Sequence, residues 1–279
     1  MAGVTDAWSG AVLGLIQGLT EFLPVSSSGH VAAGALLFNQ PAAPLSLVVA
    51  LHVGTLLATF VVLGPEILQL TRRAIQGFRS PQSYLTTEEG RTVIGVLIGT
   101  LPTALFGLCL EEQAEQAGNV PSVLGLCFLA SAAWVLTTRK KRGSERTLSF
   151  LGYFLVGMVQ GIAVLPGVSR SGSTIGAAMI LGMTPEHAFR FSFLLSLPAV
   201  AGAALLKLTA PGALVGLGVG GFVGALVAFV SGYGALLSVR HLLIHDKLWM
   251  CALYLVPLGI VIFGWDFEIA YLDAFGGIR

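Results

Sequence analysis

The sequence has few charged residues and no run of basic residues. Only 10% of its 279 residues are Asp, Glu, Lys or Arg, whereas soluble domains usually carry about 25%. Since so little charge cannot cover a surface that faces water, the mean hydropathy of +0.85 indicates a membrane protein. The net charge is +1, and without a basic tract we expect no nucleic acid as a partner.

Cysteine is also scarce, and the first ten residues contain no base. Cys109, Cys127 and Cys251 lie singly in apolar stretches without the spacing of a metal site, so we interpret them as small hydrophobic residues. The N-terminal segment MAGVTDAWSG contains an acid and no basic residue. We therefore expect that it is not a cleaved signal peptide.

Several apolar stretches have the length of a transmembrane helix, which is about 20 residues. Six are uninterrupted: 45–63, 91–110, 119–138, 187–207, 212–238 and 248–266. Two others, 8–38 and 148–183, are interrupted near the middle by Pro, Gly and hydroxyl residues, and we interpret each as a re-entrant pair of half-helices. The sequence predicts an all-α polytopic membrane protein, a single integral membrane domain over 1–279, with about six full transmembrane helices and two re-entrant helical hairpins.

The charges of the predicted loops indicate the orientation. Three loops are basic: Arg72, Arg73, Arg79 and Arg91 border the first, Arg139, Lys140, Lys141, Arg142 and Arg146 the second, and Arg240 and Lys247 the third. A fourth loop carries Glu111, Glu112 and Glu115 and no base. Basic loops favour the cytoplasm, so we expect the acidic loop and both termini outside, with the two hairpins entering from opposite sides.

The two interrupted regions resemble each other at an offset of 143 residues, without a gap from Gly14 to Gly29. The identical pairs are Gly14 and Gly157, Gln17 and Gln160, Gly18 and Gly161, Val25 and Val168, Ser26 and Ser169, Ser28 and Ser171, and Gly29 and Gly172. Three spans follow each copy, and an odd number reverses the orientation of the second. The sequence therefore predicts inverted-topology repeats over 8–138 and 148–266, with a site near their interface inside the membrane.

The first interruption contains an unusual group of polar residues. Gln17 and Glu21 are spaced i, i+4 and share one helix face, and the segment LPVSSSG separates Glu21 from His30. A carboxylate and an amide oxygen suit a hard divalent cation that also binds phosphate, and the serines at 26–28 and His30 offer nucleophiles and a proton carrier. Taken singly, the glutamine, serines and histidine are typical of helix packing, whereas an acid inside the membrane indicates function.

The second interruption, LPGVSRSGST, contains one strong cation, Arg170. Burying a guanidinium near the bilayer centre costs about 2.5–3.5 kcal/mol on insertion scales, so Arg170 needs an anionic partner. That partner is either Glu21, as a structural pair, or a substrate phosphate bound by the guanidinium fork. We favour phosphate, because hydroxyl and backbone donors surround the arginine at the start of a predicted helix. The hydroxyl donors are Ser169, Ser171, Ser173 and Thr174.

The segments QGLTEFLPVSSSGH and LPGVSRSGST resemble the two signature motifs of the undecaprenyl-diphosphate phosphatase family, also called bacitracin-resistance proteins. The family patterns are Glu/Gln-x-x-x-Glu followed by Pro-Val-Ser-Ser-x-Gly-His, and Pro-Gly-x-Ser-Arg-Ser-x-x-Thr. The resemblance covers essentially the full chain, including GTLLA at 54–58 and FSFLLSLPAV at 191–200. It implies an enzyme of bacterial cell-wall synthesis that hydrolyses undecaprenyl diphosphate to undecaprenyl phosphate and inorganic phosphate.

The resemblance also implies a divalent cation, Mg²⁺ or Ca²⁺, bacitracin resistance, and a plasma-membrane location with the active site open to the periplasm. The family residues carried over are Gln17, Glu21, Ser26, Ser27 and His30 in the first motif, and Ser169, Arg170 and Thr174 in the second. Many members carry Glu where this chain has Gln17, so one negative charge is missing from the expected metal site. The partners expected are a polyprenyl diphosphate lipid, the surrounding membrane lipid and a second copy in a homodimer.

Several interpretations stay open at the level of sequence. Glu21 binds the cation or activates the nucleophile, and either Ser27 attacks with His30 as the proton carrier or His30 itself attacks phosphorus. A lipid-phosphate or ion transporter, or a flippase, would use the same inverted-repeat architecture. We favour the enzyme because nucleophiles and proton carriers lie beside the anion site, and a structural scaffold leaves these buried polar groups unexplained.

Overall fold

The computed structural model describes residues 6–37, 43–77, 85–139, 143–209 and 217–275, which form helices and one isolated bridge but no strand. The helices are α1 (Ala7–Phe22), α2 (Ser27–Leu37), α3 (Leu45–Val62), α4 (Gly64–Gly77), α5 (Glu88–Cys109), α6 (Glu111–Gly118), α7 (Pro121–Thr137), α8 (Phe150–Ile162), α9 (Arg170–Ile180), α10 (Pro185–Leu208), α11 (Val219–Ile244) and α12 (Ala252–Phe275), with a 3₁₀ turn at Leu248–Cys251. Arg79, Lys140, Lys141, Arg142 and the start of the predicted span 212–238 lie outside the described residues.

The all-α polytopic membrane fold is confirmed. Five described helices are long and apolar enough to cross a membrane: α3, α5, α10, α11 and the segment Leu248–Trp265. The sixth predicted span, 119–138, corresponds to α7, which has 17 residues and follows α6 after a bend of 107°. Within the described residues, each of the six predicted stretches therefore falls on a helix, and α7 is the shortest of these helices.

Two predicted loops contain more helix than we expected. Glu111 and Glu112 lie in the first turn of α6, where carboxylates are favourable beside the positive end of the helix dipole. The basic residues Arg72 and Arg73 lie on α4, which begins immediately after α3. Arg91 lies inside α5, where its Nη2 donates to the carbonyl of Leu148 at 2.9 Å. These loops were predicted from charge alone, and short amphipathic helices are as charged as loops.

The helix breaks of both interrupted regions fall where the sequence predicts them. In the first, α1 ends at Phe22 and α2 begins at Ser27. Leu23 has an extended ψ of 142° because the proline that follows it disfavours a helical conformation. In the second, α8 ends at Ile162, and α9 begins at Arg170. The Pro, Gly and Ser content of these segments thus breaks the helices inside otherwise apolar sequence.

Glycines bring two pairs of helices into close contact. A Cβ on Gly14 of α1 would collide with the carbonyl of Gly224 on α11, and a Cβ on Gly157 of α8 would collide with the carbonyl of Gly99 on α5. Small residues allow helix backbones in membranes to approach closely in this way. Gly14 and Gly157 are paired by the 143-residue offset, so the repeat predicts equivalent contacts for both. The inverted orientation of the two copies stays a prediction.

Candidate active site

The two helix breaks meet through an ion pair between Glu21 and Arg170. Glu21 lies in the last turn of α1, Arg170 is the first residue of α9, and the Nη2 of Arg170 donates to the Oε1 of Glu21. Their side chains are only 9% and 19% exposed, respectively. The two charged residues singled out from the sequence, 149 positions apart, are therefore direct partners in a largely buried setting.

The second carboxylate oxygen of Glu21 accepts two further hydrogen bonds. The amide nitrogen of Gln17 donates to Oε2 at 3.0 Å, and the hydroxyl of Ser27 donates to the same atom at 2.6 Å. A serine hydroxyl that donates to a carboxylate is arranged to lose its proton as it attacks an electrophile. Glu21 is thus the group placed to activate Ser27.

Ser26 connects the two breaks through its backbone and its hydroxyl. Its φ of 68° is in the left-handed region, where a residue other than glycine is strained, and such strain clusters at functional sites. Its Oγ accepts from the backbone N–H of Gly167 at 3.0 Å and of Gly29 at 3.3 Å. A Cβ on Gly29 would also lie 2.7 Å from the backbone of Gly167, so this approach requires glycine.

Ser131 of α7 holds the second break, and sequence reasoning missed it. Its Oγ donates to the carbonyl of Gly167 at 2.7 Å and accepts from the backbone N–H of Ser169 at 2.6 Å. Both backbone groups lie in the irregular segment before α9, where no helical partner satisfies them. Ser131 stands alone in the apolar sequence LASAAW, so no local pattern could have indicated its role.

His30 is engaged through both ring nitrogens, and neither contacts Ser27. Its Nδ1–H donates to the carbonyl of Ser26 at 2.7 Å, and its Nε2 lies 2.7 Å from the hydroxyl of Tyr254. The ring of Phe128 packs nearly perpendicular to the imidazole, with the ring centroids 5.4 Å apart. The structure therefore brings Gln17, Glu21, Ser27 and Arg170 into one hydrogen-bonded group, with His30 in an adjacent one.

The hydroxyls of the second motif have three different surroundings. Ser169 caps α9, where its Oγ accepts from the N–H of Gly172 at 3.1 Å and lies 3.3 Å from the Oγ of Ser171. Thr174 is fully buried and bonds to the carbonyl of Arg170 at 2.8 Å and to the hydroxyl of Ser192 on α10. Ser173 is 1% exposed, and its hydroxyl has no hydrogen-bond partner among the described residues.

A divalent cation would find one carboxylate in this group. Among the described residues no three His, Cys, Asp or Glu side chains come together to hold a metal. Glu21 is the acid at the two helix breaks. Gln17 donates a hydrogen bond to it through the amide nitrogen, so the amide oxygen of Gln17 takes no part in that bond. One carboxylate, one amide oxygen and the oxygens of a phosphate form a donor set typical of Mg²⁺. The residues fit a cation that is bound together with a phosphate ligand.

Comparison with known proteins gives consistent matches along most of the chain. The sequence pattern of the family described as bacitracin resistance protein BacA matches residues 10–261. A protein of Korarchaeum cryptofilum is 35% identical over 254 residues, which are 90% of this chain and 96% of that protein. A protein of Desulfosudis oleivorans is 39% identical over 90% of this chain and 95% of its own length. A protein of Geobacter sulfurreducens is 42% identical over 73% of this chain and 76% of its own length. All three are named undecaprenyl-diphosphatase.

Proposed function

This chain belongs to the bacitracin resistance protein BacA family, and we propose that it hydrolyses undecaprenyl diphosphate to undecaprenyl phosphate and inorganic phosphate. This reaction recycles the lipid carrier of peptidoglycan synthesis, and a cell that performs it resists bacitracin. The observation that supports the proposal best is a nucleophile, its base and a guanidinium in one hydrogen-bonded group, formed by Ser27, Glu21 and Arg170. A carrier of lipid phosphates needs the guanidinium but not the activated hydroxyl.

Arg170 binds the diphosphate in this proposal. Its guanidinium presents a planar fork of donors to phosphate oxygens, and the substrate takes the place of Glu21 as its anionic partner. The hydroxyl of Ser169 and the backbone N–H groups at the start of α9 add neutral donors. Ser26, Ser171, Ser173 and Thr174 stay predicted contributors, with Thr174 shaping the first turn of α9 through its bond to the Arg170 carbonyl.

Ser27 attacks the terminal phosphorus while Glu21 accepts the hydroxyl proton. The phosphoanhydride bond breaks, undecaprenyl phosphate leaves, and the phosphoryl group is held on the Ser27 oxygen. Water then hydrolyses the phosphoserine and releases inorganic phosphate, with His30 as the proton carrier of this part of the site. The alternative is attack by His30 itself, which would form a phosphohistidine. The hydrogen bond from Ser27 to Glu21 supports attack by the serine over this alternative.

Glu21 and the amide oxygen of Gln17 would hold the divalent cation, Mg²⁺ or Ca²⁺, beside the diphosphate. When bound, the cation neutralises part of the phosphate charge. The chain is a multi-pass membrane protein, and we place it in the bacterial plasma membrane with the site open to the periplasm. A homodimer stays a prediction.

The decisive experiment measures phosphate release from a prenyl diphosphate by the purified protein in detergent. We expect release by the unchanged protein and none above background from Arg170→Ala or Glu21→Ala. If both variants kept full activity, the site assignment would be wrong, and lipid binding without release would indicate a carrier. Acid treatment of the trapped phosphoenzyme separates the two nucleophiles, because a phosphohistidine is acid-labile and a phosphoserine is not.

A further inference from the structure

Tyr254 contacts the proposed proton carrier from a helix that neither sequence motif includes. It lies on α12, 224 residues after His30, and its hydroxyl oxygen is 2.7 Å from the His30 Nε2. The two rings are stacked, with their centroids 5.7 Å apart and their planes 14° from parallel. One aromatic residue thus fixes both the direction of the imidazole nitrogen and the plane of the ring.

The hydrogen bonds of His30 determine which ring nitrogen carries the proton. The Ser26 carbonyl can only accept, so the Nδ1 that lies 2.7 Å from it carries a hydrogen. In the neutral imidazole the Nε2 is then the acceptor, and the Tyr254 hydroxyl donates to it. The lone pair that accepts a transferred proton is therefore on Nε2, where the Tyr254 hydroxyl occupies it at rest.

We propose that Tyr254 is a positioning residue for His30, holding Nε2 and the ring plane in place for proton transfer in the reaction proposed above, while the Ser26 carbonyl sets the tautomer. A phenol both donates and accepts, so its hydroxyl donates to Nε2 at rest, and its oxygen accepts from Nε2–H once the hydroxyl hydrogen has turned aside and Nε2 has taken the proton. This matters inside a membrane, where an unpaired polar atom is costly. Tyr254 is 49% exposed, so its apolar ring can face lipid while its hydroxyl is directed to the imidazole.

The variant Tyr254→Phe tests this inference while keeping the ring that stacks on His30. Partners that orient a metal-ligating histidine contribute about tenfold to hundredfold in affinity or activity, and we take the same scale for a histidine that transfers protons. We therefore expect kcat for phosphate release to fall by about tenfold to hundredfold, with KM nearly unchanged, and the limb of the pH–rate profile that depends on His30 to shift. The matched control is Tyr233→Phe, which removes a hydroxyl that has no hydrogen-bond partner among the described residues from a tyrosine 41% exposed on α11.

A second pair of measurements separates a positioning role from a structural one. If Tyr254 acts through His30, adding Tyr254→Phe to His30→Gln causes no further loss of kcat. A further loss equal to that of the single variant, or a Tyr254→Phe variant indistinguishable from Tyr233→Phe, overturns the inference while the proposed function stands.

Nitrogen chemical shifts of labelled His30 report the tautomer without any turnover. We expect the Nδ1–H form in both proteins, and a displaced Nε2 shift in Tyr254→Phe because that nitrogen has lost its hydrogen-bond donor. If the unchanged protein released no phosphate, the proposed function would fail, and this spectrum would still decide the positioning role. Identical His30 spectra for the two proteins would contradict it.

Discussion

Replacing Glu21 and Arg170 one at a time and together measures how much of their pairing serves the fold and how much the chemistry. Removing one partner of a buried ion pair costs about 3–5 kcal/mol, because the remaining charge is left unpaired. We expect the lower part of this range for Glu21→Ala, since Arg170 is 19% exposed and reaches some water. Arg170→Ala leaves Glu21 with the hydrogen bonds from Gln17 and Ser27, which offset part of the loss.

The double variant, which carries both Glu21→Ala and Arg170→Ala, removes both charges, so neither is left buried without a partner. We expect its loss of unfolding free energy to be smaller than the sum of the two single losses, by a coupling energy of about 1–3 kcal/mol. Phosphate release should stay absent in all three variants. The measurements are unfolding in mixed detergent micelles, followed by the fluorescence of the four tryptophans, and phosphate release from the same preparations.

Arg170→Lys is the matched control, because it keeps the positive charge and loses the planar fork. We expect its stability to lie near that of the unchanged protein, with phosphate release reduced by at least about tenfold. Additive losses in the double variant would contradict a direct pairing of the two charges. A stable double variant that still releases phosphate would refute the assignment of the site.

Three further predictions concern the nucleophile, the helix contacts and the cation. Ser27→Ala should abolish phosphate release and the trapped phosphoenzyme, whereas Ser28→Ala, a neighbour not bonded to Glu21, should keep both. Gly14→Ala should lower the unfolding free energy by about 1–3 kcal/mol, because the new Cβ collides with the Gly224 carbonyl. The control Gly34→Ala, which has open space around it, should be neutral or slightly stabilising. Equal effects of the two substitutions on the unfolding free energy would contradict the packing of α1 against α11. A chelator should stop phosphate release, Mg²⁺ or Ca²⁺ should restore it, and undiminished release in chelator would exclude the cation.

The positions of the breaks and of the charges at them could be predicted from the sequence, because each depends on a local pattern. Pro24 in the first break, and Pro166 with Gly167 in the second, disfavour a continuous helix, and an acid or arginine in an apolar stretch needs a partner. Ser131 and Tyr254 could not be predicted in this way. Each is a common residue in an apolar helix, and each acts through a contact with a segment distant in sequence.

The relation between Ser27 and His30 shows a second limit of local reasoning. The two residues are three positions apart, which suggests that the histidine takes the serine proton. In the structure the imidazole of His30 turns back to the Ser26 carbonyl, while the Ser27 hydroxyl reaches the Glu21 carboxylate. Sequence spacing fixes which side chains share a helix but not which of several nearby acceptors each one selects.

The two breaks carry complementary halves of the proposed site. At the offset of 143 residues, Glu21 corresponds to Val164 and Ser27 corresponds to Arg170, so the acid and the nucleophile belong to one break and the guanidinium to the other. Each break alone would hold an unpaired charge in an apolar environment, which is costly. The charges are paired only when the breaks meet, so the contact that stabilises the fold also assembles the proposed catalytic group.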